Sequence, residues 1–246
     1  MTDRGKQADF GNKDPSLSVC FRLRRKMARG LAVLNPVKRR ERTEWLTRTG
    51  VEFLRTAGIG RGDTVVDFGC GAGAYSIPAA LLVGKDGLVV SVDVRARMLR
   101  RLMRTAVCRG LGNIRAAQHL GEMSFLLNGR PCRAILLYDV LHYMDANTRQ
   151  GLYRAFHGRL GSDGLLSVFP KHLKGDSPSR HFRNMTVEDV SREIEAAGFR
   201  LRERREADLW HNPDRERGTV LTFSKVKRTP RQAAGHPAVA GWRNPP

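Results

Sequence analysis

The residues best suited to chemistry crowd between Val65 and Asp93. VVDFGCGAGAYSIPAA, Val65 to Ala80, carries Asp67 and three glycines, Gly69, Gly71 and Gly73, directly behind a β-branched and apolar run. Glycine inside a regular element costs about 0.5–1 kcal/mol relative to alanine, so three together imply a turn that something approaches closely. The pattern predicts a strand ending at Phe68 and a helix opening after Gly73. In open parallel sheets, ligands bind at such a carboxyl end. There the glycines would let a ligand lie against backbone N–H groups, and the helix N-terminus would favour an anionic group. Phe68 and Cys70 fall in the same loop. Asp93 closes the next strand pattern, VVSVDV, twenty positions after Gly73. A carboxylate so placed can accept both hydroxyls of a ribose, and two signals at this spacing are far more specific than one glycine motif.

Two cofactors suit the pair. Gly69, Gly71 and Ala74 satisfy G-x-G-x-x-A, which a nicotinamide dinucleotide would use. Asp67, however, would face a pyrophosphate of its own sign, whereas it would attract an ammonium or sulfonium. S-adenosylmethionine satisfies both carboxylates, with its ribose at Asp93 and its methionyl ammonium near Asp67. Methyl transfer from a sulfonium is an in-line displacement in which the protein mainly orients the reactants and excludes water. A base is needed only for an acceptor that carries a proton. Asp139, His142, Tyr143 and His172 are the candidates, placed after the expected fourth and fifth strands.

The elements that must position these residues alternate in type. Strands are expected at Thr64–Phe68, Leu88–Asp93, Asn113–Ala117, Ala134–Tyr138, Leu165–Phe169, Phe199–Arg205 and Thr219–Ser224. Helices are expected at Arg40–Ala57, Ala74–Leu82, Arg95–Arg109, Ala146–Leu160 and Val187–Ala197. Such alternation predicts an α/β fold: a doubly wound, mostly parallel seven-stranded sheet with an antiparallel last strand and helices on both faces. Residues 40–226 would form this domain. Residues 1–39 read as a basic, partly disordered extension, and 227–246 as a basic, disordered tail. A short basic helix is expected over Val19–Leu34, and the basic arm from Cys20 to Arg40 is read either as a lid over the cofactor pocket or as a solvated extension.

The chain has 246 residues and a formal net charge of +20. That balance suits nucleic acid, through the basic arm and tail, or anionic ligands generally, and says nothing about fold. Val94 to Gly121 holds seven arginines and no acid. Arg97, Arg100, Arg101 and Arg104 share one helical face, read first as a solvated surface. Cys20, Cys70, Cys108 and Cys132 lack metal-ligand spacing, so the site is expected to hold no metal and the reaction to need no divalent ion. No signal-like segment or roughly 18-residue apolar span is visible, which predicts a cytoplasmic protein with no membrane contact. The oligomeric state is not legible.

VVDFGCGAGAYSIPAA followed by VVSVDV resembles the first two signature motifs of class I S-adenosylmethionine-dependent methyltransferases. AILLYDVLHYM is similar to the family's fourth-strand motif, and LGSDGLLSVF to its fifth-strand turn, with Ser162 and Asp163 replacing Pro and Gly. MTVEDVSREIEAAGF and GTVLTFSK resemble the last helix and the antiparallel final strand. The resemblance covers about Arg40 to Val226. It implies methyl transfer with Asp67, Phe68, Gly69, Cys70, Gly71, Gly73 and Asp93 at the cofactor. The acid that often follows the third strand to bind adenine has no clear counterpart in AAQHLGEMSF, where Gln118, His119 and Glu122 fall. Cys132 precedes the fourth strand, at the sheet's amino end, and is no candidate nucleophile. The absence of a base-gripping Asp/Asn-Pro-Pro-Tyr/Phe run favours a small-molecule acceptor. The alternatives are methylation of RNA or another macromolecule, and a nucleic-acid-binding protein that keeps S-adenosylmethionine without turnover.

Overall fold

The structure, a computed structural model, describes residues 36–177, 179–211 and 214–226. The helix expected over Val19–Leu34, Cys20, most of the basic extension and the whole tail lie outside the described residues.

The chain opens on a continuous helical run: α1 (Pro36–Glu44), a π-helical turn (Trp45–Thr49) and α2 (Gly50–Thr56). Then follow β1 (Thr64–Phe68), α3 (Ser76–Val83), β2 (Leu88–Val92), α4 (Ala96–Cys108), β3 (Ile114–Ala117), α5 (Leu120–Leu127) and β4 (Cys132–Tyr138). A single 3-10 turn (Leu141–Tyr143) leads to α6 (Ala146–Arg159), β5 (Leu160–Phe169), α7 (Val187–Ala196), β6 (Phe199–His211) and β7 (Asp214–Lys225). The seven strands form one sheet in the order β3-β2-β1-β4-β5-β7-β6. β1 with β2, β2 with β3, and β4 with β5 are parallel, while β7 runs antiparallel to β5. This is the doubly wound architecture expected.

By contact the chain divides into two units, Met1–Arg130 with Asp208–Arg217, and Pro131–Ala207 with Gly218–Pro246. In the first, β1 is buried at all five positions, and Leu99, Leu102 and Ala106 of α4 face its core. Arg97, Arg100, Arg101 and Arg104 are all exposed on the other side of α4. In the second, β4 is buried from Ala134 to Tyr138, and Leu152, Tyr153 and Phe156 of α6 join Val190 and Ile194 of α7 in its core. β5 starts five residues before the expected Leu165, and its register against β4 shifts between Cys132 and Ala134.

Three features depart from the sequence reading. The π turn inserts an extra residue, with the Gly50 amide bonded to the Trp45 carbonyl. Beyond this turn Phe53 is buried and Val51, expected on the apolar face, only half-buried. Helix α5 occupies a stretch expected to be loop. The β6–β7 hairpin is far longer than its apolar ends suggested, because its middle is charged and paired across the strands. There Thr219 donates to Glu206 at 2.5 Å and His211 lies 2.8 Å from Glu216. Among the described residues, no helix is long and apolar enough to cross a membrane.

Candidate active site

The glycine loop follows β1, as its sequence requires. Gly69, Gly71 and Gly73 all take left-handed φ, at 81°, 53° and 86°, a region side chains rarely tolerate. The helix behind the loop begins at Ser76 rather than Ala74, because residues 71–75 form turns.

The loop amides are more committed than the sequence implied. The Gly69 and Cys70 N–H groups both donate to the Val92 carbonyl, at 2.8 and 2.9 Å, and Gly73 N–H donates to Cys70 O at 2.9 Å. Gly71 N–H donates to Asp93 Oδ2 at 2.8 Å. Four of the loop amides are therefore already bonded, and at Gly71 the loop presents backbone free of a side chain. An ideal Cβ on Gly71 would meet only Arg95 Nη2, at 4.0 Å, whereas one on Gly73 would strike Leu102 Cδ1 at 2.3 Å. Gly71 leaves room for a ligand; Gly73 lets the loop pack on α4.

The two carboxylates differ sharply in role. Asp93 is 4% exposed and holds four donors. Its Oδ1 accepts from the Arg95 backbone N–H and Nε, and its Oδ2 from Gly71 N–H and Arg95 Nη2, at 2.8–3.1 Å. A carboxylate has about four lone-pair positions, so a ribose must displace the guanidinium. The Arg95 side chain is 59% exposed and can swing out.

Asp67 is 2% exposed, in a chain of buried bonds. Ser91 Oγ donates to Ser76 Oγ at 2.9 Å, and Ser76 Oγ to Asp67 Oδ2 at 2.5 Å. Burial pushes its carboxyl up to about 6; the Ser76 bond opposes that rise and the Asp93 charge adds to it. Between pH 4 and 6 the folded protein thus holds a proton that the unfolded chain has lost. The stabilisation this gives is complete at low pH and disappears as pH rises through 6. Asp67→Asn should therefore stabilise the ligand-free protein by about 3 kcal/mol at pH 7, and by nearly nothing at pH 4. Denaturant unfolding of both proteins at the two pH values checks this; an equal gain at both would contradict the assignment.

Aromatic residues pin the loop from outside. Trp45 Nε1 donates to Ala74 O at 2.8 Å, and the Tyr75 hydroxyl bonds both backbone groups of Trp210 at 3.1–3.2 Å. Trp45 stands edge-on to Tyr75, ring centres 5.5 Å apart. Gly50 is needed there, since a Cβ would lie 2.6 Å from Trp45 O. Tyr75 is thus a packing residue. Trp45 and Trp210 were missed as supports, although the isolated Leu-Trp in a charged run and the Asn-Pro after it are a legible hairpin signal.

His119 and Glu122 cap α5: Glu122 N–H donates to His119 Nδ1 at 3.3 Å, and Gln118 N–H to Glu122 Oε2 at 2.6 Å. Their placement is accounted for by the cap.

In the second unit, Asp139 directly follows β4 and its N–H continues the ladder to Phe169 O at 3.0 Å. His142 is buried in the 3-10 turn. Arg149 anchors the end of that turn through Met144 O at 2.6 Å while gripping Glu193 with two bonds of 2.7 Å. His172 follows β5. Asp139, His142 and His172 come together, with one ligand atom from each within 4.8 Å of the others. Folding thus joins residues from two strand ends into a grouping that no sequence spacing reveals. Tyr143 is 69% exposed, its ring tilted against that of His142 with centres 3.9 Å apart. Cys132 opens β4, buried, its thiol pushed up to about 12 by burial, and is inert.

A family model described as "Methyltransferase domain" matches residues 65–164. Aklanonic acid methyltransferase DauC of Streptomyces sp. (strain C5) is 29% identical over 196 residues, 63% of this chain and 87% of that protein. Nocamycin O-methyltransferase of Saccharothrix syringae is 40% identical over 74 residues, 27% of this chain and 26% of that one. A solved S-adenosylmethionine-dependent methyltransferase from Aquifex aeolicus aligns with a TM-score of 0.54 at 16% identity, covering 84% of this chain and 98% of its own. Residues 65–164 thus match a methyltransferase domain, on a fold shared with solved S-adenosylmethionine-dependent methyltransferases, and S-adenosylmethionine is the cofactor that this fold implicates.

Proposed function

We propose that the protein transfers the methyl group to an oxygen of a small organic acid or hydroxyl compound. The observation that carries this reading is the relative named for aklanonic acid, of which the chain spans 87%. A second relative is named as an O-methyltransferase. In this reading Asp93 takes the ribose after releasing Arg95, and Gly71 gives the cofactor its close approach. Asp67 attracts the methionyl ammonium through a medium of low dielectric, where an uncompensated carboxylate is costly and a nearby cation is strongly favoured. An acceptor hydroxyl must lose its proton as the carbon–oxygen bond forms, and the sulfonium leaves as neutral S-adenosylhomocysteine. Asp139, His142 and His172 are the residues proposed to assist that proton's departure.

Purified protein given methyl-labelled S-adenosylmethionine, a panel of small carboxylic acids and phenols, and total RNA tests the reading. Label in a small-molecule product supports it. Label confined to RNA would overturn it in favour of a macromolecular acceptor.

A further inference from the structure

We propose that Asp139, His142 and His172 bind a divalent transition-metal ion, and that Zn2+ is the cation they fit. Asp139 Oδ1 lies 3.5 Å from His142 Nδ1 and 3.7 Å from His172 Nε2. Ligands held about 2.0–2.1 Å from a tetrahedral Zn2+ stand roughly 3.4 Å apart. Both edges from the carboxylate are thus within a few tenths of an ångström of the geometry required. The two imidazole nitrogens lie within 4.8 Å of each other, so ligation requires the rings to turn about their side-chain bonds; their centres stand 4.4 Å apart.

The tautomer of His172 points the same way. Its Nδ1 lies 3.0 Å from Ser177 O, and a carbonyl can only accept. Nδ1 therefore carries a hydrogen, which leaves Nε2 as the ring nitrogen that faces the Asp139 carboxylate and is available to ligate a cation. Metal-binding imidazoles are commonly oriented by such a bond from the other ring nitrogen to a backbone carbonyl.

The backbone holds this arrangement under strain. Among the described residues, four other than glycine have left-handed φ, and three are Asp139 at 55°, His172 at 60° and Ser177 at 39°. Such conformations persist where their surroundings over-determine them, and they gather at ligand clamps. Here Lys171 pairs with Asp176 at 2.7 Å, and Asp176 also accepts from His172 N–H at 3.3 Å. Ser179 donates its N–H to His172 O at 3.1 Å and its hydroxyl to His142 O at 3.2 Å. Two imidazoles and one carboxylate without thiolate suit Zn2+ and its late first-row neighbours over Mg2+ or Ca2+. A fourth position would remain for water or an acceptor oxygen. Metal binding itself does not depend on the acceptor proposed above.

Full-length protein stripped with EDTA would be titrated with ZnCl2 by calorimetry and with Co2+ by visible absorption. The expected result is one tight equivalent, ligand-field bands of a low-symmetry Co2+ site, and no competition from Mg2+. His172→Ala and Asp139→Asn should each weaken Zn2+ binding at least about a hundredfold with circular dichroism unchanged. Should His172→Ala unfold, His172→Gln serves in its place. Absence of binding by the unaltered protein, equal binding of Mg2+, or Zn2+ affinity untouched by these substitutions would overturn the proposal. Metal uptake without methyl transfer to any small molecule would leave this site standing and remove the proposed acceptor class instead.

Discussion

Asp93→Ala should bind S-adenosylhomocysteine roughly ten- to a hundredfold more weakly than the unaltered protein. A hydrogen bond to a charged group contributes about 1.5–3 kcal/mol, and each 1.4 kcal/mol is a factor of ten in affinity. The carboxylate is buried beside the loop, with Gly71 N–H on one oxygen and Arg95 on both. Arg95→Ala supplies the opposing half of the test. It removes the group that competes with the ribose, so affinity should stay equal or rise. If Arg95→Ala weakened binding as much as Asp93→Ala, the pair would act as one structural unit and the ribose assignment would fail. Calorimetry on both variants, with circular dichroism confirming the fold, decides between these outcomes.

Gly71→Val should abolish cofactor binding, weakening it by more than about a hundredfold, while the protein stays folded. Only Arg95 Nη2 stands near the position of the new side chain. The structural cost is then confined to a branched residue at φ 53°, about 1–3 kcal/mol. Gly71→Asn, which tolerates that φ, should fold with less strain and still obstruct the ligand. Gly73→Val makes the contrast, since its side chain would drive into Leu102 and lower the melting temperature most. Normal cofactor affinity in Gly71→Val and Gly71→Asn would show that no ligand lies against this backbone.

How far the sequence reached depended on whether each feature was local. β1 falls at Thr64–Phe68 as expected, because a β-branched run between Gly62 and a glycine loop has one plausible reading. The turn conformation of all three loop glycines was legible for the same reason. The π turn was not, since a helix with one extra residue differs from an α-helix only in which side chains it buries, and Trp45 is buried there against Tyr75 and Trp210 from distant parts of the sequence. The middle of the β6–β7 hairpin was hidden because charged residues pair across strands there instead of alternating with apolar ones. The commitment of the loop amides to Val92 and Asp93, and the hold of Arg95 on Asp93, follow from strand register and side-chain reach. Asp139, His142, Tyr143 and His172 were singled out by type and place, yet only tertiary structure could show that Asp139, His142 and His172 bring their ligand atoms together.

The loop from Asp67 to Gly73, with Asp93, is the proposed seat of S-adenosylmethionine. The measurement that bears on it most directly is parallel calorimetric titration of the unaltered protein with S-adenosylhomocysteine and with NADH. One saturable site is expected for the adenosyl ligand, and no heat beyond dilution for the dinucleotide. Saturable binding of NADH with no response to S-adenosylhomocysteine would contradict it.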